Sequence, residues 1–137
     1  MHLISIIVPC YNEQDTIPIF YKKLKSTLNT MKEKIKFEVI FVDDGSTDTT
    51  LTVIKSLSVD DDNTKYISFS KNFGKEAAIY AGLERSTGDF VAIMDADLQD
   101  PPELIPELVK YWEQGYDDVY AKRRSRKGET WLKKFTS

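Results

Sequence analysis

Gly88-Asp89-Phe90-Val91-Ala92-Ile93-Met94-Asp95-Ala96-Asp97-Leu98-Gln99-Asp100-Pro101-Pro102 is the stretch from which the rest of the chain can be placed. Phe90 to Met94 is a short, nearly unbroken apolar run, the pattern of a strand buried on both faces. It stops in Asp95, Asp97 and Asp100, with Gln99 between them, and then in Pro101 and Pro102. A buried strand that ends in carboxylates delivers them to the carboxyl edge of a sheet, where open α/β folds bind ligands. Alternate residues of an extended segment share a face, so Asp95 and Asp97 are expected to address one site. Carboxylate and amide oxygens suit Mg²⁺ or Mn²⁺, which in such sites also hold substrate phosphates. Taken alone, the same string also reads as a solvated acidic loop closing a strand. Its surroundings have to separate the two readings.

Upstream, Leu3 to Cys10 is a β-branched apolar run and reads as the first buried strand, followed by the loop Tyr11-Asn12-Glu13. Asp15 is the expected N-cap of a helix reaching about Thr30, with Ile17, Phe20, Tyr21, Leu24 and Leu28 at helical spacing. Phe37 to Val42 is a second strand, ending in Asp43-Asp44-Gly45-Ser46, and Thr47 or Asp48 is expected to cap a helix through about Leu57. Asp48 reads as a cap rather than a ligand. Asp60-Asp61-Asp62-Asn63 reads as a solvated turn, since its spacing does not match a calcium loop. A third strand covers Lys65 to Phe69, and a loop through Lys75 leads into a helix from Glu76 to about Arg85. Downstream, Pro101 and Pro102 start a helix carrying Leu104, Leu108, Tyr111 and Trp112 on one face. Gly115 ends it, and Asp118 to Ala121 is a short fifth strand.

Regular alternation of strand and helix calls for a mostly parallel sheet, an α/β architecture in three Rossmann-like layers. Three strand ends carry polar, ligand-like sequences: Tyr11-Asn12-Glu13, Asp43-Asp44-Gly45 and Asp95-Ala96-Asp97. In a parallel sheet these ends share one edge, which favours a built site over a chance acidic loop. Several chemistries are excluded. No glycine-rich dinucleotide fingerprint follows the first strand, and no phosphate-binding Gly-x-x-x-x-Gly-Lys-Ser/Thr is present. His2 is the sole histidine, which rules out histidine triads and histidine-rich metal sites, and there is no Gly-x-Ser-x-Gly elbow.

Composition agrees with a soluble globular domain: 137 residues, 41% hydrophobic and 30% charged. A net charge of −3 gives no global basic field, which argues against nucleic acid as a partner. The single cysteine, Cys10, sits in an apolar strand and reads as a buried thiol. The first residues carry neither a basic leader nor an apolar run long enough to span a bilayer. Charge is uneven, however. Lys122 to Lys134 is strongly basic and carries Trp131 and Leu132, a solvated segment or one suited to an anionic membrane surface or substrate.

Four strings together, Val8-Pro9-Cys10-Tyr11-Asn12-Glu13, Val42-Asp43-Asp44-Gly45-Ser46-Thr47-Asp48, Asn72-Phe73-Gly74-Lys75 and Met94 to Pro102, resemble family 2 glycosyltransferases of the GT-A fold. Within that family the resemblance is to the polyprenyl-phosphate branch, which includes dolichol-phosphate mannose synthases and bacterial bactoprenol glucosyltransferases. It implies that Pro9, Tyr11, Glu13, Val42 and Asp44, with Asp43 beside them, line a nucleoside pocket. It further implies that Asp95, Ala96 and Asp97 contact ribose, sugar and metal-bridged diphosphate, and that Asp97 and Gln99 hold Mg²⁺ or Mn²⁺. Arg123 matches an arginine that meets a phosphate, with Arg126 a weaker match, and Lys75 stands where the family keeps a basic residue. Asp95, Asp97 and Arg123 are then the residues expected to carry the reaction.

The implied reaction is inverting transfer of a hexose from a nucleotide-diphosphate sugar to a polyprenyl phosphate. UDP-glucose is the favoured donor, because the Asn-Phe-Gly-Lys and Tyr-Ala-Lys-Arg strings look most like the glucosyl branch. The implied location is the cytoplasmic face of a membrane, and a homo-oligomer is left open. Members of this branch continue well beyond 137 residues, so the chain is expected to be the N-terminal catalytic part of a longer protein. The alternatives are a family 2 transferase with a polysaccharide or lipid-linked oligosaccharide acceptor, a phosphoryl-receiver domain, and a non-catalytic nucleotide-binding module.

Overall fold

β1 (His2–Cys10) lies at the middle of the architecture, with a neighbour on each side. β2 (Ile35–Asp43) pairs with one of its edges and β4 (Phe90–Ile93) with the other, and β3 (Thr64–Ser68) completes the sheet beyond β2. All three ladders are parallel, in the order β3-β2-β1-β4. The computed structural model describes residues 2–97, 99, 101–115, 118–123 and 130–135, the last two stretches as backbone strands. Among the described residues, no helix is long and apolar enough to cross a membrane.

Strand alternation sends β1 into two cores. Ile4, Ile6, Val8 and Cys10 face one side. There they meet Ile17, Phe20, Leu24 and Leu28 of α1 (Ile17–Asn29), Ile54 of α2 (Thr50–Asp60), and Ile105 and Val109 of α4 (Ile105–Glu113). Ile7 faces the other side, with Ile40, Val42 and Ala78 of α3 (Lys75–Arg85). The result is helix, sheet and helix, the three layers expected. The α3 layer sits close because its contact face is small: a Cβ on Gly82 would stand 2.5 Å from a methyl of Ile7.

Several local expectations are corrected. β4 is not buried on both faces, because it borders the sheet, and Ile93 is 46% exposed. α1 starts two residues after Asp15, with Thr16 at the cap position, where its hydroxyl bonds to Glu13 instead of capping the helix. α2 starts at Thr50 with Thr49 at the cap position, but Asp48 still satisfies its first turn by accepting the Thr50 N–H at 2.8 Å. The face expected on α4 is rotated: Ile105 and Val109 are buried, whereas Leu104, Leu108, Tyr111 and Trp112 are half-buried. A 3₁₀ turn at Pro102–Leu104 precedes the helix and shifts its phase. Finally, the basic segment contains a strand that the sequence reading missed. β6 (Thr130–Phe135) pairs antiparallel with β5 (Asp118–Arg123) as a separate two-stranded sheet.

At the amino end of the sheet, one buried acid joins three strands. Glu38 of β2 lies opposite Ser5 of β1 in the ladder and accepts the Ser5 hydroxyl. It also accepts the Lys65 ammonium at 2.8 Å, and the Thr87 N–H and hydroxyl at 2.7 and 2.9 Å. Every oxygen of a buried carboxylate needs such partners, since an unpaired one would cost several kcal/mol. Burial pushes the Glu38 carboxyl up, but the Lys65, Ser5 and Thr87 donors outweigh it and hold it at about 2, against an ordinary 4.5. The folded value lies below the unfolded one, so the contribution is complete above pH 4.5 and is lost as pH falls towards about 2. Glu38→Gln is therefore expected to lose roughly 2–3 kcal/mol at pH 7, the figure reduced because Lys65 is solvated. In thermal melts against pH, its deficit relative to the parent should shrink steadily below about pH 4.5. A deficit that stays constant down to pH 2 would contradict this assignment.

Candidate functional site

β1 is where the chain changes direction. α1 carries it from β1 to β2 on one side, and α3 later carries it from β3 to β4 on the other, with the two helices on opposite faces of the sheet. Such a switch point leaves a crevice at the carboxyl ends of the strands. Register sharpens it. Cys10, Asp43 and Ser68 stand in one row, whereas β4 leaves the ladder at Ile93, opposite Ile7, three residues before β1 ends. The segment after β4 is thus released to turn across the end of β1.

A cleft of about 200 Å³ occupies that place. Pro9 and Cys10 wall it at the end of β1 and Tyr11 and Glu13 just after it, with Asp44 just past β2, Lys75 at the start of α3, and Asp95, Ala96 and Asp97 in the segment after β4. Seven residues expected from three distant strings and the Lys75 loop therefore meet with Pro9 in one crevice. Tyr11 is 44% exposed at its edge, an aromatic face open to a flat partner. The Lys75 ammonium lies 2.8 Å from the Asp95 carboxylate. Asp97 is exposed and accepts the Gln99 N–H at 3.0 Å, which brings Gln99 beside it.

Other expected residues lie elsewhere. Val42 is fully buried against Ile7, Ile40 and Ala78 and is not part of the cleft wall. Asp43 is buried below it and accepts the Ser46 N–H at 3.3 Å. Arg123 ends β5 opposite Thr130, with its side chain outside the described residues, as is all of Arg126. Among the described residues, no group of three or more His, Cys, Asp or Glu converges as a ready metal cage.

Sequence reasoning missed the seam that joins the loops after β1 and β2. Asn12 sits at φ +52°, in the left-handed region that asparagine tolerates. From there its N–H donates to the Ser46 hydroxyl and its side-chain oxygen accepts the Thr47 N–H, both at 2.9 Å. Gln14 accepts the Thr49 N–H at 3.0 Å, and the Glu13 N–H donates to the Thr50 hydroxyl at 2.8 Å. An Asn in a short polar loop was the available signal, but its partner could not be read without the fold.

Residues 5–137 match the family described as Glycosyl transferase family 2. An uncharacterized glycosyltransferase of Synechocystis is 48% identical over 134 residues, which cover 98% of this chain and 42% of that protein. The bactoprenol glucosyl transferase of Shigella phage SfX is 44% identical over 134 residues, again 98% of this chain and 43% of that protein. Among solved structures, glucosyl-3-phosphoglycerate synthase of Mycobacterium tuberculosis, in complex with Mn²⁺, UDP and phosphoglyceric acid, superposes with a TM-score of 0.59 at 25% identity. That match covers 81% of this chain and 39% of the synthase. The chain thus spans about two fifths of the length of the curated relatives it matches.

The cleft also makes a prediction about its floor. Cys10 is 2% exposed, and burial, then the Glu13, Asp43 and Asp95 carboxylates, push its thiol well above the ordinary range. A thiolate is the reactive form, so the native thiol is expected to be inert. With a chromogenic disulfide reagent at pH 8, the folded protein should release almost no colour, and the denatured protein one equivalent. Rapid labelling of the folded protein would contradict the burial described.

Proposed function

The chain belongs to glycosyl transferase family 2, and from that membership we propose that it forms the donor-binding part of an inverting hexosyltransferase that glycosylates a polyprenyl phosphate. UDP-glucose is the proposed donor, and the membrane surface is the proposed place of reaction, at its cytoplasmic face. The observation that carries this reading is the meeting of Asp95-Ala96-Asp97 with Pro9, Tyr11, Glu13 and Lys75 in one switch-point cleft. The likeness to a phage bactoprenol glucosyl transferase supports the acceptor, and the UDP and Mn²⁺ in a structural neighbour support the donor and the metal.

In this reading, Tyr11 lies against the nucleobase, whose flat face an exposed ring suits. Asp95 and Ala96 border the ribose and the hexose. The anomeric carbon breaks its bond to the β-phosphate oxygen and forms one to an oxygen of the acceptor phosphate on the opposite face, and the nucleoside diphosphate leaves with the bonding electrons. A phosphate acceptor is already an anion at neutral pH, so no side chain has to remove a proton from it. Arg123, at the end of β5, is assigned to a donor or acceptor phosphate.

The donor set fits a hard divalent cation. Asp97 and Gln99 are adjacent, exposed and offer oxygen ligands, leaving the remaining positions to water and phosphate. Mg²⁺ or Mn²⁺ held there would neutralise charge on the departing diphosphate.

Thermal melting with UDP, UDP-glucose and GDP-mannose, each with and without Mn²⁺, tests the proposal. One nucleotide should raise Tm in the presence of Mn²⁺, by a stabilisation of roughly 2.7 kcal/mol at a hundredfold excess over Kd. The metal-dependent part of the shift should vanish in Asp97→Ala. A shift identical in Asp97→Ala would refute the metal assignment, and no shift with any nucleotide would refute donor binding by this chain.

A further inference from the structure

Pro9, Cys10, Tyr11 and Glu13 line the cleft, and Asn12, between the last two, does not. Its two neighbours are held in different ways. Glu13 has bonds of its own. Its N–H donates to the Thr50 hydroxyl at 2.8 Å, its carboxylate accepts the Thr16 hydroxyl at 2.7 Å, and its carbonyl accepts the Thr16 and Ile17 N–H groups at 3.2 and 3.0 Å. Tyr11 lacks such support: among the described residues, no hydrogen bond or ring contact holds its half-exposed side chain. The direction of that ring follows from the backbone that carries it, because the allowed rotamers depend on φ and ψ.

That backbone turns at Asn12. Its φ of +52° lies in the left-handed region, which asparagine tolerates and which most L-residues populate about 5–30-fold less readily. Bonds to the loop after β2 lock the turn. The Asn12 N–H donates to the Ser46 hydroxyl and Oδ1 accepts the Thr47 N–H, both at 2.9 Å, with the Thr47 hydroxyl a further donor at 3.3 Å. The base of that loop is itself joined to β1, since the Asp44 N–H donates to the Cys10 carbonyl at 2.9 Å. The turn that carries Tyr11 is thus referenced to two neighbouring strands.

We propose that Asn12 is a positioning residue that acts through Tyr11. Its left-handed turn, tied to Ser46 and Thr47, presents the Tyr11 ring to the base of a nucleoside diphosphate. This inference rests on the donor reading above and deepens it, by assigning the aim of the base contact to a side chain outside the cleft.

Titration calorimetry with UDP, GDP and pyrophosphate, each with Mn²⁺, tests it; pyrophosphate is the probe that has no base. The proteins compared are the parent, Tyr11→Ala, Asn12→Ala, Asn12→Gly and the double variant of Tyr11→Ala with Asn12→Ala. Stacking on an aromatic ring corresponds to about 5–150-fold in Kd per base, and Tyr11→Ala should weaken the bound nucleotide within that range. Asn12→Ala should raise the same Kd by up to about 5–30-fold, as the fraction of chains with Tyr11 in place falls. Asn12→Gly should lose less, because glycine enters the left-handed region freely. Pyrophosphate binding should be unchanged throughout, and the double variant no weaker than Tyr11→Ala.

Equal losses in Asn12→Gly and Asn12→Ala, pyrophosphate weakened alongside the nucleotide, or losses that sum in the double variant would each overturn the proposal. Asn12 is exposed, so its replacement spares the core. Should Asn12→Ala nevertheless fail to fold, Ser46→Ala unties the Asn12 N–H and should show the same loss confined to nucleotides; unchanged nucleotide binding there overturns the proposal. Nucleotide binding weakened by Tyr11→Ala but not by Asn12→Ala overturns this inference alone. A parent chain that binds neither nucleotide, or a Tyr11→Ala variant that binds as the parent does, overturns the donor reading of Tyr11 and this inference with it.

Discussion

β1 has water on neither face from Ile4 to Cys10, and that one constraint governs the rest of the molecule. A buried backbone must find a partner for each N–H and C=O, so a strand in that position needs a ladder on both edges and a layer on both faces. β2 and β4 supply the ladders; α1 and α4 cover one face, and α3 covers the other. Both neighbours follow β1 in the chain, and the helices that lead into them, α1 and α3, lie on opposite faces of the sheet. The crevice at the strand ends follows from that arrangement. The cleft is the gap left where two connections part company.

Much of this was legible because it depends on short-range pattern. Apolar runs of β-branched residues gave the strands, and their polar endings gave the edge on which ligand-binding residues would gather. The errors share a physical cause. Whether a strand is central or at an edge depends on the sheet order, which no local run encodes, and Ile93 is exposed for that reason. The phase of α4 depends on a 3₁₀ turn that two prolines allow but do not dictate. β6 was hidden because its lysines and arginine neighbours read as a solvated tail, whereas its ladder with β5 is built by the backbone. Capping residues were read one or two positions early, since Asp15, Asp48 and Thr16 all have the right chemistry and only the fold selects among them.

The candidate site divides along the same line. Its members could be enumerated from strand ends, and Asp95, Asp97, Glu13, Tyr11, Pro9, Ala96, Asp44 and Lys75 do share one cleft. What each does there is set by partners that lie far away in sequence. Asp43 and Asp44 are neighbours with identical chemistry, yet one turns inward to its own loop and the other reaches across to Phe73 and Gly74. A family resemblance assigns both to a pocket. Hydrogen-bond bookkeeping separates them.

The seam between the loops after β1 and β2 has a consequence for motion. Asn12, Glu13, Gln14, Ser46, Thr47, Thr49 and Thr50 bond across it, so neither loop can leave its place without breaking the other's hydrogen bonds. Loops at binding sites are commonly the first segments to open, each on its own free-energy scale. Here the two share their hydrogen bonds, so opening either loop costs bonds of both. One wall of the cleft is therefore a single tied panel rather than two independent flaps.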